Sequence, residues 1–385
     1  MKIALVENFG ADFVGARLRF AVYLQNKGID VTAVIPEDGH KEIIEEQGIK
    51  VLEVGVNVRK KDLATTIDFA KKLRAILRAG NYDIVHFYRL QPNIIGTIVA
   101  SLFTKAKVVN HVTGLGVVFA NNSSKNKILQ VIIRTMYRFN SFFFNPYTIF
   151  QNKEDILDLN VKKQTICIEG SAVNEDRFNK NYANENSLKI DQLRNDLGIP
   201  KGERVFIFVS RLLREKGLLE LVEAFVSLNE KRKETINLLI VGWSDLENPS
   251  AVKPEDLKEM VAPYSFIKFL GKRFDVNDLL ALSHASILPT YYREGTPRFM
   301  LESMAMSKPI ITTNMPGCNH LVDNGKNGIL IEPKEVKEIE NAVEKLLDSN
   351  LDKMGEQGNR LYFEKFSEKV VYSSIEKLYN SILEK

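Results

Sequence analysis

Short β-branched runs alternate with segments of helical period along the whole chain, and the pattern occurs twice. Strand, helix and strand in alternation pack as a parallel sheet with helices on both faces, so an all-α or all-β fold is excluded. In the first half the predicted strands are 2–6, 31–35, 50–54, 84–87 and 107–111, with helical periods at 15–27, 63–78 and 92–103. In the second half strands are predicted at 204–210, 236–241, 266–270, 285–288, 309–312 and 328–331, and helices at 216–230, 278–283, 298–306 and 336–347. The polar, Asn- and Lys-rich stretch 179–189 between the halves has the composition of an interdomain connection. An amphipathic segment at 367–383 must pack on one of the halves.

The chain has 385 residues, long enough at roughly 100 to 200 residues per domain for two. With 44% hydrophobic and 26% charged residues it is neither disordered nor a disulfide scaffold. Cys167 and Cys318 stand far apart without CxxC or CxxH neighbours, so no zinc site or disulfide framework is read, and a reducing cytoplasm fits. The first residues are too short an apolar run for a signal peptide, and the longest apolar stretch, 93–103, is about half of what a membrane span requires.

Charge is unevenly placed. The formal net charge is +4, yet residues 71–140 carry eleven basic side chains against a single acid, Asp83. One half is therefore expected to meet an anionic partner. Within it, 126–144 mixes Lys127, Arg134 and Arg138 with Ile, Leu, Tyr and Phe, the composition of an interfacial helix beside an anionic membrane surface. The same composition also suits a core helix with solvated charges. The basic residues are scattered over several elements without a recognition motif, so no nucleic-acid partner is expected.

Two stretches carry chemistry. Arg211 and Lys216 lie on the loop that leaves strand 204–210 and enters a helix, where helix N-terminal amides already favour an anion and two cations can clamp a diphosphate. Glu294 and Glu302 flank Gly295, Thr296 and Pro297 after strand 285–288. The glycine permits close backbone approach and the proline opens a helix, which places one carboxylate on the loop and the other about one turn into the helix. Such a pair can accept hydrogen bonds from sugar and ribose hydroxyls. Sites of this kind lie at the carboxyl ends of parallel strands, and two such domains can face each other across a cleft.

Arg211-Leu-Leu-Arg-Glu-Lys-Gly217, Phe269-Leu-Gly-Lys-Arg-Phe-Asp-Val276, Leu288-Pro-Thr-Tyr-Tyr-Arg-Glu-Gly-Thr-Pro297, Leu301-Glu-Ser-Met-Ala-Met306 and Pro309-Ile-Ile-Thr-Thr-Asn-Met-Pro-Gly317 resemble, in this order and spacing, the retaining nucleotide-sugar glycosyltransferases of family 4. Thr113-Gly-Leu-Gly116 and Gly170-Ser-Ala-Val-Asn174 resemble the branch that builds capsular, O-antigen and protein-linked glycans on polyprenyl diphosphate carriers.

The resemblance implies an α/β GT-B fold of two Rossmann-like doubly wound domains across a cleft. An acceptor-binding domain would span 1–178, with helix 367–385 packing back on it, and a nucleotide-sugar-binding domain 190–366. It implies Arg211 and Lys216 as the diphosphate pair, Glu294 on the transferred sugar, Glu302 on the ribose, Arg273 beside Gly271 in the base-reading loop, and Gly114 and Gly116 near the donor phosphate. Relatives carry a His where this chain has Thr113. His111, two residues earlier and on the same face of a strand, is a candidate partial substitute or a structural residue.

The expected substrates are a UDP-N-acetylhexosamine donor and a lipid-linked saccharide acceptor at the inner membrane face. No cofactor and no metal are expected, since no DxD-type motif stands in a suitable context. The alternatives are a soluble acceptor or GDP-sugar donor, or a non-catalytic sugar-nucleotide-binding scaffold of the same fold.

Overall fold

A computed structural model describes residues 1–55, 63–120, 123–246 and 248–384. The chain divides into two compact units, one of 1–172 with 368–385 and one of 173–367.

The first unit is a seven-stranded parallel sheet. Its strands are β1 (Lys2–Val6), β2 (Asp30–Ile35), β3 (Lys50–Glu53), β4 (Ile84–Tyr88), β5 (Lys107–Val112), β6 (Tyr147–Phe150) and β7 (Thr165–Cys167), in the order β3-β2-β1-β4-β5-β6-β7. Alternate residues feed opposite faces, as the two-residue period of a strand requires. Ile3 and Leu5 join one apolar layer, while Ala4 and Val6 join another with Phe69 and Leu73. The C-terminal helix Glu368–Leu383 covers the first layer with Val371, Ile375, Leu378, Tyr379 and Ile382. Each such buried side chain stabilises by about 1.5–3 kcal/mol. An Arg19–Glu368 ion pair and a hydrogen bond from the Tyr23 hydroxyl to Glu376 fix the helix along its length.

The second unit is a six-stranded parallel sheet. It contains β8 (Arg204–Val209), β9 (Ile236–Val241), β10 (Ile267–Phe269), β11 (Ala285–Leu288), β12 (Ile310–Thr313) and β13 (Gly328–Ile331), in the order β10-β9-β8-β11-β12-β13. β9 and β11 are buried along their whole length, which their near-continuous apolar sequences already demand.

Three helices matter below: α1 (Ser124–Phe143), α2 (Leu218–Lys231) and α3 (Arg298–Ala305).

The structure adds elements that pattern reading passes over. β6 and β7 are only four and three residues long, and β6 follows directly on the Phe-rich end of α1, where apolar composition masks a change of element. The stretch read as a connection instead carries short helices, Tyr182–Glu185 and Ser187–Asp196. Tyr182, Ala183, Ile190 and Leu193 pack against the second unit's core, and their sparse apolar spacing conceals that role. Predicted helix 15–27 is two helices, Gly10–Ala16 and Leu18–Asn26, meeting at Arg17. Predicted helix 92–103 opens with a π-turn, Pro92–Gly96.

Candidate active site

In the second unit the chain leaves β8 for β9 on one side and returns to β11 on the other, so β8 and β11 frame the point where the strand order reverses. Ligands of open parallel sheets bind outside the carboxyl ends of strands at such a point. The two sequence-predicted loops both emerge there.

After β8 the chain makes one 3₁₀ turn, Arg214–Lys216, and then Gly217 with φ +73° caps α2. A Cβ at Gly217 would lie 2.1 Å from the carbonyl oxygen of Pro289, so only glycine lets the two loops touch backbone to backbone. The contact is reinforced at Glu215, whose carbonyl accepts from the Tyr291 amide at 2.8 Å and the Thr290 hydroxyl at 3.0 Å.

These contacts bring together residues far apart in sequence. The Lys216 ammonium donates to the Glu294 carboxylate, and both side chains are largely buried. The ring of Tyr292 lies beneath both cations, 4.7 Å from Lys216 Nζ and 5.9 Å from the Arg211 guanidinium carbon. A ring face attracts cations and orients them without neutralising their charge. Tyr292 was not singled out from sequence, because an aromatic in a loop has no positional signature.

A third loop supports Glu294 from behind. Gly317, after β12, has φ +85°, and a Cβ there would lie 2.2 Å from the carbonyl oxygen of Glu294 and 2.6 Å from that of Gly295. The Met-Pro-Gly sequence at 315–317 belongs to one of the motifs that carry the family resemblance, but its contact with Glu294 is not legible in it.

Pro297, with extended backbone, precedes the first residue of α3, and Gly295 and Thr296 are buried beside it. The Thr296 hydroxyl is 3.4 Å from His320 Nε2. Glu302 lies one turn into α3, with Arg298 at 3.9 Å. Burial pushes the Glu302 carboxyl above its ordinary value, against the opposing pull of Arg298 and Arg177.

A carboxyl raised in the folded state binds more protons folded than unfolded. Its contribution to stability is therefore lost as pH rises from its ordinary value of 4.5 through its raised value. Glu302→Gln should thus melt at a higher temperature than the wild type at pH 7, with the advantage gone near pH 4. Scanning calorimetry at the two pH values measures this, and a variant less stable at pH 7 would show that the arginines outweigh burial.

The remaining predicted residues stand apart from this cluster. Arg273 follows β10, two strands from β8, and its guanidinium is engaged by Asp275 through bonds of 2.7 and 2.5 Å. Gly271, two residues before it, has φ +66°. Gly114 (φ +105°) and Gly116 (φ +68°) lie in the first unit, on the loop after β5, in backbone conformations that favour glycine.

His111, the candidate partial substitute or structural residue, is 2% exposed, stacked parallel on His86 at 5.4 Å and beside Tyr88 at 5.2 Å. Burial first, and the Arg17 charge second, hold its pKa well below the ordinary imidazole value, so the ring is neutral.

Arg134 donates to the carbonyl of Asp158 at 2.8 Å and lies over Phe119, whereas Lys127 and Arg138 are exposed. Among the described residues no group of three or more His, Cys, Asp or Glu side chains could hold a metal ion.

Comparison with known proteins fits this arrangement. The family of glycosyl transferases group 1 matches residues 189–361, and the glycosyl transferase 4-like family matches residues 2–145. The chain is a glycosyltransferase built of a 4-like domain and a group 1 domain.

The N,N'-diacetylbacillosaminyl-diphospho-undecaprenol alpha-1,3-N-acetylgalactosaminyltransferase of Campylobacter jejuni is 25% identical over 392 residues, covering 100% of this chain and 99% of that protein. The UDP-Gal:alpha-D-GlcNAc-diphosphoundecaprenol alpha-1,3-galactosyltransferase of Escherichia coli is 26% identical over 85% of this chain and 82% of that one. Among solved structures, a Rickettsia africae glycosyltransferase superposes with a TM-score of 0.78 at 22% identity, covering 99% of this chain and 98% of the other. The Anabaena protein HepE in complex with UDP and glucose gives 0.80 at 18%, covering 99% and 100%. The two Rossmann-like units are those of the GT-B fold, and this glycosyltransferase carries its predicted donor motifs on the second.

Proposed function

We propose that this glycosyltransferase moves an N-acetylhexosamine, with retention, from a UDP-sugar to a polyprenyl diphosphate-linked saccharide in bacterial surface polysaccharide or glycan assembly. The observation that carries the reading is the Lys216–Glu294 pair at the strand-order reversal, beside Arg211 and the N-terminus of α2. The acceptor class is supported by the two relatives named above, whose names specify undecaprenyl diphosphate-linked substrates.

In this reading the bond between the sugar's anomeric carbon and the donor phosphate oxygen breaks, and a new bond forms to the acceptor hydroxyl. The hydroxyl's proton passes to the departing diphosphate, which accounts for a site without an obvious general base. Charge grows on that diphosphate as the bond lengthens, so Arg211, Lys216 and the helix dipole favour the transition state over the ground state. Glu294 meets the sugar and Glu302 the ribose. Because Lys216 holds Glu294, the group that receives the phosphate also fixes the carboxylate that receives the sugar. These cations can carry the leaving-group charge, so no metal is required.

The acceptor's lipid places the enzyme at the cytoplasmic face of the cell membrane, with Lys127 and Arg138 toward its anionic surface. No helix among the described residues is long and apolar enough to cross a membrane.

A panel of UDP-, GDP- and ADP-sugars, scored by binding and transfer with and without chelator, tests the reading. UDP-N-acetylhexosamines should bind best, and transfer should persist in chelator. A preference for GDP-sugars, or activity lost in chelator and restored by Mg²⁺, would overturn the corresponding part.

A further inference from the structure

The second unit has a cavity of about 430 Å³ at the edge of its sheet opposite the donor motifs, within the ordinary size range of small-ligand sites. Parallel strands all begin on one edge, and Arg204, His284 and Lys308 line the cavity from positions at or just before the starts of β8, β11 and β12. Arg194, from the helix Ser187–Asp196, and Asp352, from the first turn of the helix Leu351–Lys365, line it too. β8 is six residues long, so roughly 20 Å of strand separate this edge from the loop that carries Arg211 and Lys216.

Local structure brings the cations together. α3 ends in a turn in which Ser307, φ +55°, takes the left-handed position and the Lys308 amide donates to the Ser303 carbonyl at 2.8 Å. The partly buried Lys308 ammonium then donates to the Ala281 carbonyl at 3.2 Å. The Arg194 guanidinium donates to the carbonyls of Pro200 at 3.1 Å and Glu203 at 3.4 Å. Carbonyls occupy hydrogen-bond donors but leave the charge uncancelled. Among the described residues no carboxylate forms an ion pair with Arg194, Arg204 or Lys308.

The three charges converge on one ring. His284 Nδ1 accepts from the Val205 amide at 3.0 Å, and burial first, then Arg204, Lys308 and Arg194, hold its pKa down at about 4. Burial also holds the Lys308 ammonium down at about 8, with Asp352 opposing. With His284 neutral, three cations stand against the single acid Asp352, a net +2. A partly desolvated cation without a counter-charge is costly to the fold.

We propose that this cavity binds a phosphate group, free or carried on a small phosphoester, at a site separate from the donor loops. The charge of a phosphomonoester at pH 7, about −1.5 to −2, balances the cavity, whereas a single carboxylate would leave half of its charge unmet. Guanidinium groups match phosphate oxygens in pairs, and an ammonium adds a point charge. Because the bound form gains what the unfolded chain cannot, occupancy stabilises the second unit.

The test uses the full chain with UDP at saturation, so that the donor loops are occupied, and titrates inorganic phosphate and, separately, glucose 6-phosphate. Calorimetry should find one further binding event. In protein labelled with ¹⁵N at histidine, the ring resonances of His284, identified by their loss in His284→Gln, should shift. Arg204→Gln, at an exposed position, should weaken binding about tenfold, the effect of one hydrogen bond to a charged group, with UDP affinity unchanged. The binding should persist in Lys216→Met, where the predicted donor clamp is broken, so a failure of the UDP assignment leaves this test intact. Tighter binding of either phosphate source supports the site and says which form fills it. Absence of binding with UDP present, unmoved His284 resonances, or wild-type affinity in Arg204→Gln would overturn the proposal. Displacement of phosphate by an equal concentration of chloride would mark an adventitious ion only and overturn it as well.

Discussion

Lys216→Met should lower transfer at saturating donor by roughly two orders of magnitude, the effect of about 3 kcal/mol lost from stabilisation of the leaving group's charge. Methionine keeps most of the side-chain volume, so the loss reports the missing charge rather than a cavity. The same change leaves Glu294 without the ammonium it accepts from, at a site where both side chains are largely buried. Removing one partner of a buried pair costs about 3–5 kcal/mol, because the other charge remains desolvated. The single variant should therefore also melt earlier.

Lys216→Met with Glu294→Gln separates the two effects. The double variant should regain much of the lost stability and none of the lost activity. Transfer assays paired with thermal denaturation measure both. Wild-type turnover in the single variant would remove Lys216 from the diphosphate site, and recovery of activity in the double variant would show that the pair serves folding only.

Gly317→Ala should be nearly as damaging, although position 317 carries no functional group. Alanine at φ +85° costs about 1–2 kcal/mol from backbone conformation alone. In addition its Cβ would lie 2.2 Å from the Glu294 carbonyl oxygen, a backbone atom that can yield only if the 294–295 loop moves. A misplacement of about 1 Å can cost a hundredfold in rate, and Glu294 is the residue displaced. Transfer should fall roughly ten- to a hundredfold. UDP affinity should change far less, because Glu302 sits on α3 rather than on the displaced loop. Wild-type turnover would mean that the loop accommodates the methyl group and that Glu294 tolerates displacement.

Much of this architecture is legible in the chain because parallel strands buried on both faces must be near-continuous apolar runs, as β4 and β9 are. β7 escapes the same logic, since it is three residues long and half-buried. The helix Ser187–Asp196 escapes it too: with no buried residue of its own, it leaves little apolar periodicity to detect.

At the candidate site, residue types and spacing pointed to Arg211, Lys216, Glu294 and Glu302 as separate groups. Their side-chain identities and loop chemistry are local properties. That Lys216 grips Glu294 across 78 residues is not local, and it follows from β8 and β11 lying side by side with Gly217 against Pro289. His111 and Arg134 show the same limit from the other side. A histidine at a strand end and an arginine on a basic helix look available in sequence, but packing buries the first against His86 and turns the second onto Asp158.

The uneven charge and the apolar content of α1 were plain in the order of residues, since composition survives any folding. Which way that helix faces was settled only when Gln130, Tyr137 and Asn140 found hydrogen-bond partners in the first unit and left Ile128, Ile132, Phe139, Phe142 and Phe143 outside. Periodicity reports how a segment can divide its surface, but orientation depends on the partners that other parts of the chain supply.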